Sequence, residues 1–334
     1  MKKKLLSALL CAAMVASLVI GCGSKEEPAA EAPAATEDAE VSAEEVEGAE
    51  DEENYETGDA SLDNTRNQDE IGENELLVVS FGTSFNDNRR LTIGAIEEKI
   101  EAAFPEYAVR RGFTSQIIID HVMSRDNVKI DNVAEALDRA VANGVKNLVV
   151  QPTLLMNGIE YEELTTTLAE YSDSFESVTV GEPLLTSDED FQKVAAAIVD
   201  VTAEYDDGKT AIVFMGHGTH HESNAVYAKM QTVLTEGGHK NYFVGTVEGS
   251  PMLEEVMPLV EAGGYERVVL RPLMIVAGDH ANNDMAGLEE AGAWAYEFEA
   301  AGYEVVSVVE GLGQIGAIQD LLVEHTKAAV DSAK

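Results

Sequence analysis

Cysteine is nearly absent, with two residues, Cys11 and Cys22, in a chain of 334. That excludes a disulfide-stapled scaffold and a four-cysteine zinc site. Basic residues are also scarce, 22 Lys and Arg against 62 Asp and Glu, for a formal net charge of −40. The balance excludes nucleic acid as a partner, because phosphate binding needs clustered Lys and Arg. Familiar catalytic signatures are missing too. The chain has no Gly-x-x-x-x-Gly-Lys-Ser/Thr phosphate loop, no His-Glu-x-x-His zinc helix and no Gly-x-Ser-x-Gly nucleophile elbow. Gly311-Leu312-Gly313-Gln314-Ile315-Gly316 has the spacing of a dinucleotide fingerprint. It follows the last expected strand with no second βαβ unit, so no organic cofactor is expected. A hydrophobic fraction of 45% nevertheless supports a packed core, so the acidic excess does not make the chain wholly disordered.

The acidic charge is unevenly placed. Lys2, Lys3 and Lys4 precede an apolar run from Leu5 to Ile20, shorter than the roughly 20 residues a spanning helix needs. The run closes in Val19-Ile20-Gly21-Cys22, which resembles a bacterial lipoprotein box. The expectation is a signal over 1–22, cut before Cys22, whose thiol then takes a lipid. Cys11 leaves with the signal, and the protein is extracytoplasmic and lipid-anchored to the cell membrane. An ordinary secretory signal or an uncleaved anchor is the alternative. Residues 23–75 hold 20 acidic and 2 basic residues and almost no large apolar side chains. Such a stretch cannot bury enough apolar area to offset its ordering entropy, so it reads as a disordered acidic tether.

Residues 76–334 carry a net −25, which is −40 less +3 for the signal and −18 for the tether. Short β-branched runs alternate there with amphipathic stretches, the pattern of an α/β fold with parallel sheets. Strands are expected over 76–81, 107–112, 147–151 and 177–180, then over 210–215, 241–245, 267–271 and 305–308. The two sets look like copies of one unit. A shift of 120 residues lays Gly144-Val145-Lys146-Asn147-Leu148-Val149-Val150-Gln151-Pro152 on Gly264-Tyr265-Glu266-Arg267-Val268-Val269-Leu270-Arg271-Pro272. The same shift puts Glu160 on His280. Val79-Ser80-Phe81-Gly82-Thr83 parallels Met215-Gly216-His217-Gly218-Thr219, so His217 stands where the first copy has Phe81. The expected architecture is two similar half-domains, 76–206 and 207–334, each a parallel sheet flanked by helices, with a cleft between them.

Ligands of open parallel sheets collect at the carboxyl ends of strands. Three polar constellations fall there: Gly216-His217-Gly218, Gly278-Asp279-His280 and, in the first half, Gly158-Ile159-Glu160. Imidazole suits divalent transition metals, and a carboxylate can join it or accept protons. The bland alternatives are that His217 caps the next helix and that His280 opens one behind an Asp279 cap. His220 and His221 read as residues at the start of the next helix. His121, His239 and His325 read as ordinary surface or helix residues.

At these residues the sequence resembles the anaerobic sirohydrochlorin cobaltochelatases, class II chelatases related to ferrochelatase. The matching pieces are Val78-Val79-Ser80-Phe81-Gly82-Thr83-Ser84, Asn157-Gly158-Ile159-Glu160-Tyr161-Glu162, Val180-Gly181-Glu182-Pro183-Leu184-Leu185, Val213-Phe214-Met215-Gly216-His217-Gly218, and the run from Pro272 to Met285. The resemblance covers essentially all of 76–334. It implies two α/β halves around a tetrapyrrole cleft, with His217, His280 and Glu160 as metal-site and catalytic residues. It also implies a lyase-class metal chelatase that inserts Co2+ into sirohydrochlorin in anaerobic cobalamin biosynthesis, with Fe2+ or Ni2+ as alternative metals. The segment Thr153-Leu154-Leu155-Met156 departs from it, because some members have a histidine there.

A polycarboxylate tetrapyrrole needs local cations against a body of −25. Arg89, Arg90, Arg110, Arg111 and Arg271 lie near strand ends and are the expected carboxylate clamps, with surface ion pairs as the alternative. The lipoprotein box opens two other readings: an exported chelatase-like protein that captures haem or another tetrapyrrole for metal acquisition, and a non-catalytic metal- or tetrapyrrole-binding lipoprotein. A homo-oligomer is a further expectation.

Overall fold

The computed structural model describes residues 57–333. Two four-stranded, all-parallel sheets dominate it. The first consists of β1 (Asn74–Ser80), β2 (Ala108–Phe113), β3 (Asn147–Pro152) and β4 (Ser177–Val180) in the order β2-β1-β3-β4. The second consists of β5 (Thr210–Gly216), β6 (Tyr242–Thr246), β7 (Arg267–Pro272) and β8 (Glu304–Ser307) in the order β6-β5-β7-β8. The duplication extends to register. Val79 faces Pro152 in one sheet, and Met215 faces Pro272 in the other.

Helices cover both faces of each sheet, so the central strands are apolar throughout instead of alternating. Leu76 and Val78 point to one core, which is built with residues of α1 (Ala95–Ala103), α5 (Asp188–Thr202) and α9 (Gly316–Ser332). Leu77 and Val79 point the other way, toward α3 (Val133–Ala142) and α4 (Ile159–Glu170). The first core is shared: Ile212 and Phe214 of β5 belong to it together with Leu76 and Val78 of β1. α9 follows the second sheet in sequence yet packs on β3 and β4 of the first. Ser187 and Asp190 form the capping box that opens α5, as their spacing predicts. The remaining helices are α2 (Gln116–Asp126), α6 (Ala225–Glu236), α7 (Leu253–Gly263) and α8 (Trp294–Ala300).

Two expectations need correction. The tether does not run to residue 75. From residue 57 onward the chain packs on the first half, with Arg66 buried and the Asp63 side chain 2% exposed. Asp63 Oδ2 accepts from Arg89 Nε at 2.7 Å and from Arg111 Nη1 at 2.6 Å, and Arg66 Nε donates to Glu97 Oε2 at 3.1 Å. The part of the tether before residue 57 lies outside the described residues, as do the signal and Cys22.

The arginines, expected as carboxylate clamps, are committed internally. Arg89, Arg110 and Arg111 are fully buried. Arg110 pairs with Asp131 at 3.3 Å, and Arg111 holds Glu97 at 2.7 Å. Arg271 is 3% exposed and pairs with Glu310 at 3.0 Å. Only Arg90 of the five reaches solvent, where it pairs with Asp87 at 3.4 Å. A guanidinium on a strand that is covered on both faces must meet a carboxylate inside, because an unpaired buried charge costs several kcal/mol.

Glu75, at the start of β1, is fully buried, and neither of its carboxylate oxygens has a hydrogen-bond partner. Burial pushes its carboxyl up from 4.5 to about 7, against the opposing charges of Arg110 and Arg139. The raised value means that the folded state holds this proton more tightly than the unfolded chain. The resulting stabilisation is complete below about 4.5 and is lost as pH rises through about 7. The difference amounts to roughly 3 kcal/mol at most. In urea unfolding followed between pH 5 and 8, Glu75→Gln is expected to flatten this part of the stability profile; an unchanged slope would contradict the assignment.

Candidate metal centre

The loops after β5, β6 and β7 meet above the carboxyl edge of the second sheet. His217 follows the last residue of β5. The next residue, Gly218, has φ +87, and a β-carbon there would lie 2.4 Å from Gly249 N, so only glycine lets the two loops touch. The loop after β6 is stitched alongside: Val247 N donates to Gly216 O at 3.0 Å and Glu248 N to His217 O at 2.7 Å. After β7, Leu273 N donates to Met215 O at 2.7 Å, and the chain reaches His280 at the head of a π-helical turn, Ala281–Met285.

This brings together His217, Glu248 and His280, whose candidate ligand atoms all lie within 4.8 Å of one another. The two imidazole rings stand edge to face, with centroids 4.7 Å apart, and Glu248 Oε1 is 3.9 Å from His217 Nε2. Each ring is oriented through Nδ1. His217 Nδ1 bonds the Gly218 carbonyl oxygen at 2.8 Å, and His280 Nδ1 bonds Asp284 Oδ2 at 2.7 Å. A carbonyl and a carboxylate only accept, so Nδ1 carries the proton and Nε2 keeps its lone pair for a metal. Burial opposes charge on the His280 imidazole, but the Asp284 hydrogen bond and the charges of Asp284, Asp279 and Glu248 outweigh it and raise its pKa. The side chains of His217, Glu248 and His280 are 45%, 54% and 34% exposed, so all three are open to solvent. Two imidazole nitrogens and a carboxylate oxygen suit a divalent first-row metal such as cobalt, and leave coordination positions open for a substrate.

The two histidines singled out from the sequence thus converge, whereas Glu160 lies outside the trio. It is the second residue of α4 on the opposite half, where its charge adds to the burial that pushes the Tyr227 phenol up to about 12. Tyr227 OH in turn accepts from Gly218 N at 3.2 Å, so Glu160 faces the wall that supports His217. Sequence reasoning missed Glu248. Its signal was an acid-glycine pair, Glu248-Gly249, directly after a strand, the same context that marked the histidines. His221 caps a short turn by accepting from Ser223 N at 3.2 Å, and its Nε2 lies 3.6 Å from Glu162 of the first half. His325 pairs with Asp190 at 3.0 Å, and His239 stacks edge-on with Tyr242.

Two parallel-sheet halves with an imidazole–carboxylate trio at the strand ends define a metal chelatase. The chain belongs to the cobalt chelatase (CbiK) family, whose model matches residues 74–331, and cobalt is its substrate metal. It is 35% identical over 258 residues to a sirohydrochlorin cobaltochelatase of Salmonella typhimurium, covering 77% of this chain and 97% of that protein. It is 30% identical over 259 residues to the sirohydrochlorin cobaltochelatase CbiKC of Nitratidesulfovibrio vulgaris, covering 77% and 90% respectively. Among solved structures, SirB from Bacillus subtilis with Fe3+ has the same fold, with a TM-score of 0.53 at 15% identity over 78% of this chain and 97% of that one.

Glu248→Ala is expected to weaken Co2+ binding by more than the roughly 10–100-fold that loss of an outer hydrogen-bond partner such as Asp284 causes. Glu160→Ala should weaken it less. Titration of the cobalt d–d absorption checks this, and equal effects of the two substitutions would remove Glu248 from the ligand set.

Proposed function

We propose that the protein inserts cobalt(II) into sirohydrochlorin, as a step of anaerobic cobalamin synthesis. The observation that carries this reading is the trio of His217, Glu248 and His280 in a chain that matches nearly the full length of proteins named for that reaction. Insertion exchanges two pyrrole N–H protons for one Co2+. His217 and His280 hold the incoming ion through Nε2 and, as it leaves, offer lone pairs that accept protons. In this reading Glu160, on the first half, takes a proton from the macrocycle. Phe81, 45% exposed, stands at the first-half counterpart of His217. The position that carries a histidine in the second half thus carries an aromatic ring in the first, an asymmetry suited to delivering metal to a single face of a bent macrocycle.

The reading includes export and anchoring through a lipid on Cys22, on the strength of the Gly21-Cys22 box. That same box favours a second reading, in which the exported chelatase captures haem or another tetrapyrrole and removes its metal. The purified full chain, mixed with sirohydrochlorin and Co2+ or separately with haem, separates the two by absorbance. The first reading expects cobalt insertion above the uncatalysed rate, reduced at least ~10²-fold in the His217→Ala, His280→Ala protein. Release of iron from haem without cobalt insertion would replace it with the second. Metabolic labelling with a radioactive fatty acid checks the anchor, and label retained by Cys22→Ala would contradict it.

A further inference from the structure

The segment just before β1, residues 57–73, lies outside the family match yet is built into the first half. We infer that two residues outside the metal trio, Asp63 of this strap and Asn88 of the first half, are positioning residues for the loop that carries His280. The inference rests on the assignment of His280 to the cobalt site.

The connection is a series of short, buried contacts. The Asp63 carboxylate receives Arg89 Nε at 2.7 Å and both terminal nitrogens of Arg111, at 2.6 and 3.1 Å. Arg89 and Arg111 are fully buried, and Glu97 is the other buried carboxylate within this group. Arg66 is buried as well and pairs with Glu97, so without Asp63 three buried guanidiniums share that one buried carboxylate, and Arg89 loses the only carboxylate it is paired with among the described residues. The rest of the Arg89 guanidinium pins the chain after β1, donating to Thr83 O at 3.0 Å and to Asn86 Oδ1 at 2.5 Å.

That pinned turn reaches the other half. Asn88, beside Arg89 in the short helix Asn86–Arg89, accepts from Ala277 N at 2.8 Å through Oδ1, a bond between residues 189 apart in sequence. One residue on, Gly278 sits against Thr83, so close that a β-carbon would lie 3.1 Å from Thr83 Oγ1. The opposite side of the loop is held by Leu312 N to Met274 O at 2.8 Å and Gly313 N to Ile275 O at 2.9 Å. Residues 273–278 are thereby fixed from both flanks, and His280 follows two residues later. Asp63 acts through Arg89 on the first-half flank, and Asn88 makes the final contact.

Hydrogen–deuterium exchange of the full chain over 273–285, together with Co2+ titration, tests this with Asn88→Ala, Asn88→Asp and Asp63→Asn. Asn88→Asp keeps the acceptor oxygen. Expected is exchange about tenfold faster over 273–285 and cobalt affinity about tenfold weaker in Asn88→Ala, with both restored in Asn88→Asp. Asp63→Asn should shift both in the same direction. If that variant does not fold, Asp63→Glu, which keeps the charge but displaces it by one methylene, takes its place. Wild-type exchange over 273–285 in the folded Asn88→Ala and Asp63 variants would overturn the inference. Failure of the wild-type chain to bind Co2+ would overturn the cobalt-site reading instead, and the exchange result would still decide the strap.

Discussion

The ladder that joins β5 to β6 on one side and β7 on the other fixes where the metal trio stands. Met215 lies opposite Gly245 in one pair and Pro272 in the other. The three strands therefore end level, and their loops leave from one edge. A slip of one residue would turn every side chain of a strand to the other face, and each of these strands is buried on both faces. The burial of Ala211, Val213 and Met215 on one side and of Ile212 and Phe214 on the other makes such a slip prohibitive. Once the edge is level, short loop-to-loop backbone bonds place Glu248 and the chain toward His280 beside His217.

The duplicated halves have the same topology but divergent chemistry. Gln151 on β3 and Arg271 on β7 are counterparts. Gln151 donates to Glu182 O at 3.0 Å and accepts from Thr326 of α9 at 3.2 Å, whereas Arg271 answers a charge, Glu310. Phe81 and His217 are also counterparts, as are Glu160 and His280. One scaffold thus carries histidines in the second half at positions held by Phe81 and Glu160 in the first. The shared core and the crossing of α9 onto the first sheet hold the two halves in one body.

Much of this was legible in the sequence. Strands buried on both faces are short runs of Val, Ile and Leu, and runs such as Leu148-Val149-Val150 and Val268-Val269-Leu270 can hardly be read otherwise. Their similarity under a fixed shift, with Gly and Pro matched at either end, exposed the duplication. His217 and His280 stood out because glycines flank them at strand ends. Glu248 did not, because an acid is unremarked in a chain with 62 of them and its first-half counterpart, Ser115, which makes the same backbone bond, is not an acid. The arginines misled for a related reason: pattern gives a position in a strand but not a partner. One of the two carboxylate partners of Arg111 is Asp63, 48 residues earlier, in a stretch whose composition reads as solvated spacer. Long-range charge pairing leaves no local periodicity, and so the strap was invisible until the fold was in hand.

The central claim is that two imidazoles and one carboxylate converge on the substrate metal. X-ray absorption at the cobalt K-edge, on protein loaded with one equivalent of Co2+, tests it most directly. The expected spectrum shows the outer-shell multiple scattering of two histidine rings together with first-shell oxygen from Glu248, and Glu248→Ala changes only the oxygen contribution. A first shell of oxygen alone, with no imidazole scattering, would contradict the account.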